Sequence, residues 1–199
     1  MADNAAILHA PDDLQTSEFL LRPIRETDAE LDYDALMESR EFLRVWEQST
    51  WPADDFTVEA NRVDLARHER QHAEGESFTY TVLNPDETQC LGCVYIFPTS
   101  APMYSRAQIS ALDGAAWAAY EAAVYFWVRK SRLADGLDRR LLDALGPWFA
   151  QDWRVAHPLI ITNEQFAQQV TVIESAGLLL RFRLAFPNEP GQSLAYAWP

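Results

Sequence analysis

The stretch Ala122-Ala123-Val124-Tyr125-Phe126-Trp127-Val128-Arg129, continued by Lys130-Ser131-Arg132-Leu133-Ala134-Asp135-Gly136-Leu137-Asp138, decides how this chain folds. Its first half is an apolar run of strand length. Beyond Asp135, apolar residues recur at Leu137, Leu141, Leu142, Leu145, Trp148 and Phe149, the spacing of one helix face. Asp135 is placed to be the N-cap of a helix running to about Ala150. Pro158–Ile161 then reads as a short buried strand. Strand, helix and strand in this order make a β-α-β unit, which needs one parallel strand pair.

Working outward, Phe19–Ile24 reads as a strand closed by Pro23. Thr27 and Glu30 have the spacing of a capping box for a helix with a break expected near Ser39. Trp46–Asp55 reads as a loop. Thr57 opens a second helix running to about Glu74, before Gly75. Ser77–Leu83 and Cys90–Phe97 form a hairpin around Asn84-Pro85-Asp86-Glu87. Residues 99–118 are a long connection. Thr162 and Gln165 cap a further helix ended by Gly177, and Leu178–Phe186 with Ser193–Trp198 form a closing hairpin. The expected order is β-α-α-β-β-β-α-β-α-β-β, a mixed α/β (α+β) chain. Residues 1–16 are expected to be a loose leader and 17–199 a single domain.

With 199 residues, one domain is the simplest division. Hydrophobic residues are 48% of the chain, enough for a core. Sixteen basic against thirty acidic side chains give a net charge of −14, which argues against a general nucleic-acid binder. No apolar run is long enough to span a bilayer. The acidic start, MADNAAILHAPDD, lacks the basic region of a signal peptide. A cytoplasmic protein without a membrane partner is the expectation.

Two other motifs compete for attention. His68-Glu69-Arg70-Gln71-His72 matches H-E-x-x-H, which sets two imidazoles on one helix face, as a zinc site requires. No third ligand stands out and the surrounding helix is highly charged, so no metal is expected. The histidines instead read as lining an acceptor pocket or packing between helix and sheet. Cys90 and Cys93 are three apart in a strand, which points them to opposite faces and denies them a shared ligand or a disulfide.

The element order, with the residues that punctuate it, resembles the GNAT family of acyl-CoA-dependent N-acyltransferases. Glu38-Ser39-Arg40-Glu41-Phe42-Leu43-Arg44-Val45-Trp46 followed by Trp51-Pro52 resembles the branch that acetylates protein N-terminal amines, typified by ribosomal-protein acetyltransferases. Phe126-Trp127-Val128-Arg129 is similar to that branch's fourth strand, and Glu174-Ser175-Ala176-Gly177-Leu178 to its closing "E-K-L-G-F" element. The resemblance implies a central, mostly antiparallel mixed sheet flanked by helices. It also implies acetyl-CoA as co-substrate, no metal, and a small-molecule or peptide amine as acceptor, protein N-termini included.

Carried over by residue, the resemblance puts the cofactor against Trp127, Val128, Arg129, Arg132, Gly136, Leu137, Asp138, Arg139 and Asn163. Backbone groups of Val128 and Arg129 would align the pantetheine, and Gly136–Arg139 would face the pyrophosphate. The family's loop reads Q/R-x-x-G-x-G/A, with glycines and a helix N-terminus suited to a diphosphate. Here Leu133 stands at the Gln/Arg position, Gly136 matches, and Asp138 replaces the second small residue. Asp135 and Asp138 would then mimic the missing phosphate, while Arg129, Lys130, Arg132, Arg139 and Arg140 would either neutralise them or hold the phosphates directly. Two outcomes stay open: a working acyltransferase, or a non-catalytic GNAT-like binding or interaction domain with a lost CoA site. Ile173 stands where many members carry an acidic Tyr. Glu121 is the candidate base and Tyr125 its neighbour on the same strand parity. The 99–118 connection reads as a substrate lid or a homodimer contact.

Overall fold

The computed structural model describes residues 9–187 and 189–199. Its strands are β1 (Leu14–Gln15), β2 (Leu20–Pro23), β3 (Phe78–Leu83), β4 (Cys90–Pro98), β5 (Gln108–Ala111), β6 (Ala122–Val128), β7 (Pro158–Asn163), β8 (Leu179–Ala185) and β9 (Ser193–Ala197). Its helices are α1 (Ala29–Glu47), α2 (Val58–Ala73), α3 (Lys130–Leu133), α4 (Leu137–Trp148) and α5 (Ala167–Ser175). The nine strands form one sheet in the order β1-β2-β3-β4-β6-β7-β9-β8-β5. Every neighbouring pair is antiparallel except β6 with β7, the pair that α4 connects.

Alternation along β6 divides the core. Ala122, Val124, Phe126 and Val128 face α4, whose Leu137, Leu141, Leu142 and Leu145 are fully buried there. Each such leucine contributes about 2 kcal/mol of apolar burial. Trp127 points the other way, under α1 and α2, beside Leu36, Leu43 and Leu65. Ala123 and Tyr125 share that second face but pack with Tyr104, Leu159 and Phe182 beneath the 99–120 connection. One face is therefore roofed by two covers, and a cleft opens between them.

The parallel pair is short. Ala122–Val124 pair with Pro158–Ile160, and beyond them β6 and β7 part while β7 stays paired with β9 as far as Asn163–Ser193.

Several sequence expectations are corrected. α1 is unbroken through Ser39, which is buried because its hydroxyl accepts the Lys130 N–H at 3.0 Å. Trp46 belongs to this helix rather than to a loop. Thr27 is not its cap: a 3-10 turn, Glu26–Asp28, precedes it, and Arg22 grips Asp28 with two 2.8 Å bonds. Asp135 does not cap α4. Gly136 holds that place with a left-handed φ of 70°, and the Asp135 carboxylate pairs with Arg132 at 3.2 Å. Thr162 lies in β7, and Asn163 instead starts the next turn by accepting the Gln165 and Phe166 N–H groups.

Within the expected leader, β1 pairs with β2, and the carbonyls of Pro11 and Asp13 accept from Tyr80 and Trp148. Residues 1–8 lie outside the described residues. The 99–118 connection carries β5, which extends the sheet along β8. Cys90 and Cys93 face the same way, both buried under α1 and α2. The cause is a bulge: Val82 pairs with Gly92 and Leu83 with Cys90, so Leu91 is an extra residue. A side chain at Gly92 would lie 2.1 Å from the Trp127 carbonyl, so the bulge requires glycine.

Candidate active site

The cleft has a volume of about 450 Å³. The last turn of α1 supplies Trp46 and Glu47, with Gln48 next, and the loop beyond supplies Trp51. α2 contributes Asn61, Asp64, Leu65 and His68. The sheet floor is Tyr95, Phe97 and Tyr125, and Thr162, Asn163 and Ser193 close the end where β6 and β7 part. Phe186 and Glu189 come from the β8–β9 loop.

Local bonds hold these walls in place. α1 stops because Gln48 turns left-handed, with φ 55°. The Asn163 side chain donates to the Val45 and Trp46 carbonyls at 2.7 and 2.6 Å, so the end of α1 is fastened to β7. The Gln48 carboxamide accepts from the Gly191 N–H at 2.8 Å and donates to Glu189 at 3.2 Å, which ties the β8–β9 loop to the same point.

The electrostatics are unusual for a surface groove. Glu47 is an exposed residue by surface area, yet the protein close around its carboxyl pushes it up to about 7, and the charge of Glu189 adds to this. Glu189 is itself raised by burial. Burial lifts Asp32 to about 6, against its hydrogen bond from Asn61. His68 is pushed down to about 4 by burial, with the Arg67 charge second, so its imidazole is neutral at pH 7. Burial also raises the Tyr125 hydroxyl, as do the charges of Glu189 and Glu47. Tyr125 shares a 3.2 Å hydrogen bond with Tyr104. Asp32, Glu47, Asp64 and Glu189 outnumber Arg67 among charged lining residues, and Trp46, Trp51 and Tyr95 supply ring faces. Such a groove favours an organic cation.

The other half of the expected site lies between the parted strands. Gln169 of α5 reaches into the gap, donating to the Phe126 carbonyl at 2.8 Å and accepting from the Thr162 hydroxyl at 2.7 Å. Gln169 and Thr162 are each 2% exposed. After β6, the Ser131 N–H donates to Glu38. Arg129 is buried and bonded to Asp34, Glu38 and the Cys90 carbonyl. Asp138 is also buried; it accepts the Arg139 N–H and a bond from Gln168. Arg139 pairs with Asp143 and Arg140 with Glu18.

Of the residues singled out by sequence, Tyr125 and Asn163 border the cleft. Glu121 does not: its carboxylate accepts the Ala156 N–H at 2.7 Å at the opposite end of β6. Trp127 is a core residue whose indole donates to the Tyr95 hydroxyl. The Val128 and Leu137 side chains are core as well, and the Asn163 carboxamide nitrogen is already spent on α1. Gly136 starts α4, with Arg132 before it paired to Asp135 and Arg139 after it paired to Asp143. His72 packs against β3, with Nδ1 3.1 Å from the Thr79 carbonyl oxygen. His68 borders the cleft, with Nδ1 3.3 Å from the Thr79 hydroxyl. Among the described residues no three His, Cys, Asp or Glu side chains converge to hold a metal ion. Sequence reasoning missed Glu47, Glu189 and Gln169. For Glu47 a signal existed: an acid directly after Trp46 and four residues before Trp51.

The fold is that of the GNAT acetyltransferases. The chain is similar to the ribosomal-protein-S5-alanine acetyltransferase from Vibrio fischeri, with a TM-score of 0.68 and 15% identity over 94% of this chain and 95% of that one. It is similar to a ribosomal L7/L12 alpha-N-protein acetyltransferase in complex with coenzyme A, with a TM-score of 0.66 and 14% identity over 92% and 94%. A third is the microcin C7 self-immunity acetyltransferase in complex with acetyl-CoA and AMP, with a TM-score of 0.70 and 11% identity over 96% and 98%. No protein-family model and no curated protein sequence matches the chain. None of the described helices is long and apolar enough to cross a membrane.

Proposed function

We propose that the protein is an acyl-CoA-dependent N-acyltransferase that takes a primary amine in the cleft. The observation that carries this reading is the cleft itself: Asp32, Glu47, Asp64 and Glu189 with the ring faces of Trp46, Trp51 and Tyr95, beside the point where β6 and β7 part, with the Glu47 carboxyl raised among them. An amine must lose its proton before it can attack, and a base poised near pH 7 is suited to remove it. Glu189 and the rings of Trp46 and Trp51 hold the cation beforehand. Tyr125 Oη keeps its proton through neutral pH, so it is available as a donor at the same point.

Three observations support a place for the donor's arm in the gap. The Gln169 carboxamide on the Phe126 carbonyl is an amide already seated where a pantetheine amide would bond. Neither acid of the loop stands as the cap of α4, since Asp135 pairs with Arg132 and Asp138 turns into the protein. A side chain added at Gly136 would meet only Arg140, at 3.6 Å. Phe126 and Val128 would hold the arm, and the start of α4 with Arg132 and Arg139 would face the diphosphate. When bound, acetyl-CoA supplies a thioester, an activated acyl group that a neutral amine can take.

The closed state of the gap favours a second reading, an amine-binding domain that transfers nothing. One assay separates them. Protein, acetyl-CoA and a panel of primary amines, including short peptides with free N-termini, are followed by release of free thiol. Amine-dependent release supports transfer. Amine binding without thiol release, and without any stabilisation by millimolar acetyl-CoA, overturns transfer in favour of the second reading.

A further inference from the structure

The polar bridge across the β6–β7 gap is the feature the fold itself does not need. β6 and β7 pair for three residues and then separate, so the Phe126 carbonyl loses its strand partner. The chain could have left this carbonyl to water. It is met instead by a long side chain from the first turn of α5, and that side chain is pinned at its other end by Thr162. Both ends of the Gln169 carboxamide are thus satisfied in a buried site, which fixes one rotamer of a side chain with three free torsions. Thr162 also borders the cleft, so the bridge touches the acceptor side of the protein.

We propose that Gln169 is an internal stand-in for the donor's amide, and that acyl-CoA enters only by displacing it. This rests on the acyltransferase reading. The carboxamide offers an N–H to the Phe126 carbonyl, as a secondary amide of the donor arm does. The two compete for the face of one acceptor that looks into the gap, where the buried carboxamide already stands. Donor affinity is therefore set by the strength of the Thr162–Gln169–Phe126 bridge. Truncating Gln169 removes the competitor and leaves the Phe126 carbonyl wanting a donor, which raises affinity for the arm. Replacing Thr162 by Val leaves the carboxamide half-held, so it yields more readily.

The test is calorimetric titration of coenzyme A into the full chain. Wild type, Gln169→Ala, Gln169→Met and Thr162→Val are compared, each first checked for folding by circular dichroism. Gln169→Met keeps the volume and removes the amide, so it serves if the alanine variant does not fold. The expected result is about tenfold tighter binding for the Gln169 variants, with their amine affinity unchanged, and about threefold tighter binding for Thr162→Val. A second readout is the pair of Gln169 side-chain N–H signals in ¹⁵N spectra. They should exchange slowly with water in the free protein and lose that protection when coenzyme A is added. Binding by wild type that is unaltered or weakened in the Gln169 variants overturns the stand-in and leaves the acyltransferase reading intact. No binding by wild type or any variant at millimolar concentration overturns both.

Discussion

The cleft proposed to take the amine and the β6–β7 gap lie side by side at one point of the sheet and treat polar groups differently. In the cleft, no ion pair with a described Arg or Lys answers Glu47, Glu189 or Asp32, and their carboxyls are raised. In the gap, every polar atom of Gln169, Thr162 and Phe126 just described is matched by another from the same chain. Carboxylates gathered without a cation repel one another, and a bound organic cation would relieve that cost. A completed bridge points to a site at rest. On the proposed reading the cleft is ready for an amine, while the gap has first to be opened.

The largest effect that would break this contrast is at Glu47. Glu47→Gln should lower kcat/KM for amine acylation by roughly a thousandfold and remove the limb of the pH–rate profile near 7. In wild type the rate should climb as pH rises through that value, because only the ionised carboxylate takes a proton. A rate that is flat with pH, or unaffected by the change, would return Glu47 to the status of a wall residue.

Next comes Arg129, whose charge is answered wholly from within. Arg129→Met should cost about 2 kcal/mol, read as a lower urea midpoint, because two carboxylates and the Cys90 carbonyl lose their donor. Tyr125→Phe should lower kcat by about tenfold with KM nearly unchanged, which steady-state kinetics would resolve. The smallest effect at neutral pH belongs to His68. Its folded value of about 4 lies below its unfolded value of 6.5, so the unfolded chain binds the extra proton. Stability on this account is full above 6.5 and is lost as pH falls toward 4. Against wild type, His68→Gln should lose less stability over that window in thermal melts.

Much of the architecture was legible because it rests on periodicity. The apolar run at Ala122–Val128 and the leucines from Leu137 to Leu145 have one reading each, and the sheet confirms both. What was not legible depended on single register shifts or distant partners. The bulge at Leu91 turned Cys90 and Cys93 to one side, against the simple alternation of a strand. Asp135 has the chemistry of a cap, but Gly136 reaches the left-handed conformation without cost and took the role. Glu121 shares strand parity with Tyr125, yet lies past the end of β6 nearest Ala156. Gln169 had no local signal, since its partners are 43 and 7 positions away.

Asn163 joins the two sites mechanically. Its carboxamide nitrogen clamps the carbonyls of Val45 and Trp46, while its oxygen steers the chain into α5. The acid at 47 and the amide at 169 are therefore mounted on one pivot, a few residues to either side. Loss of that one carboxamide would unfasten the end of α1 and the start of α5 together.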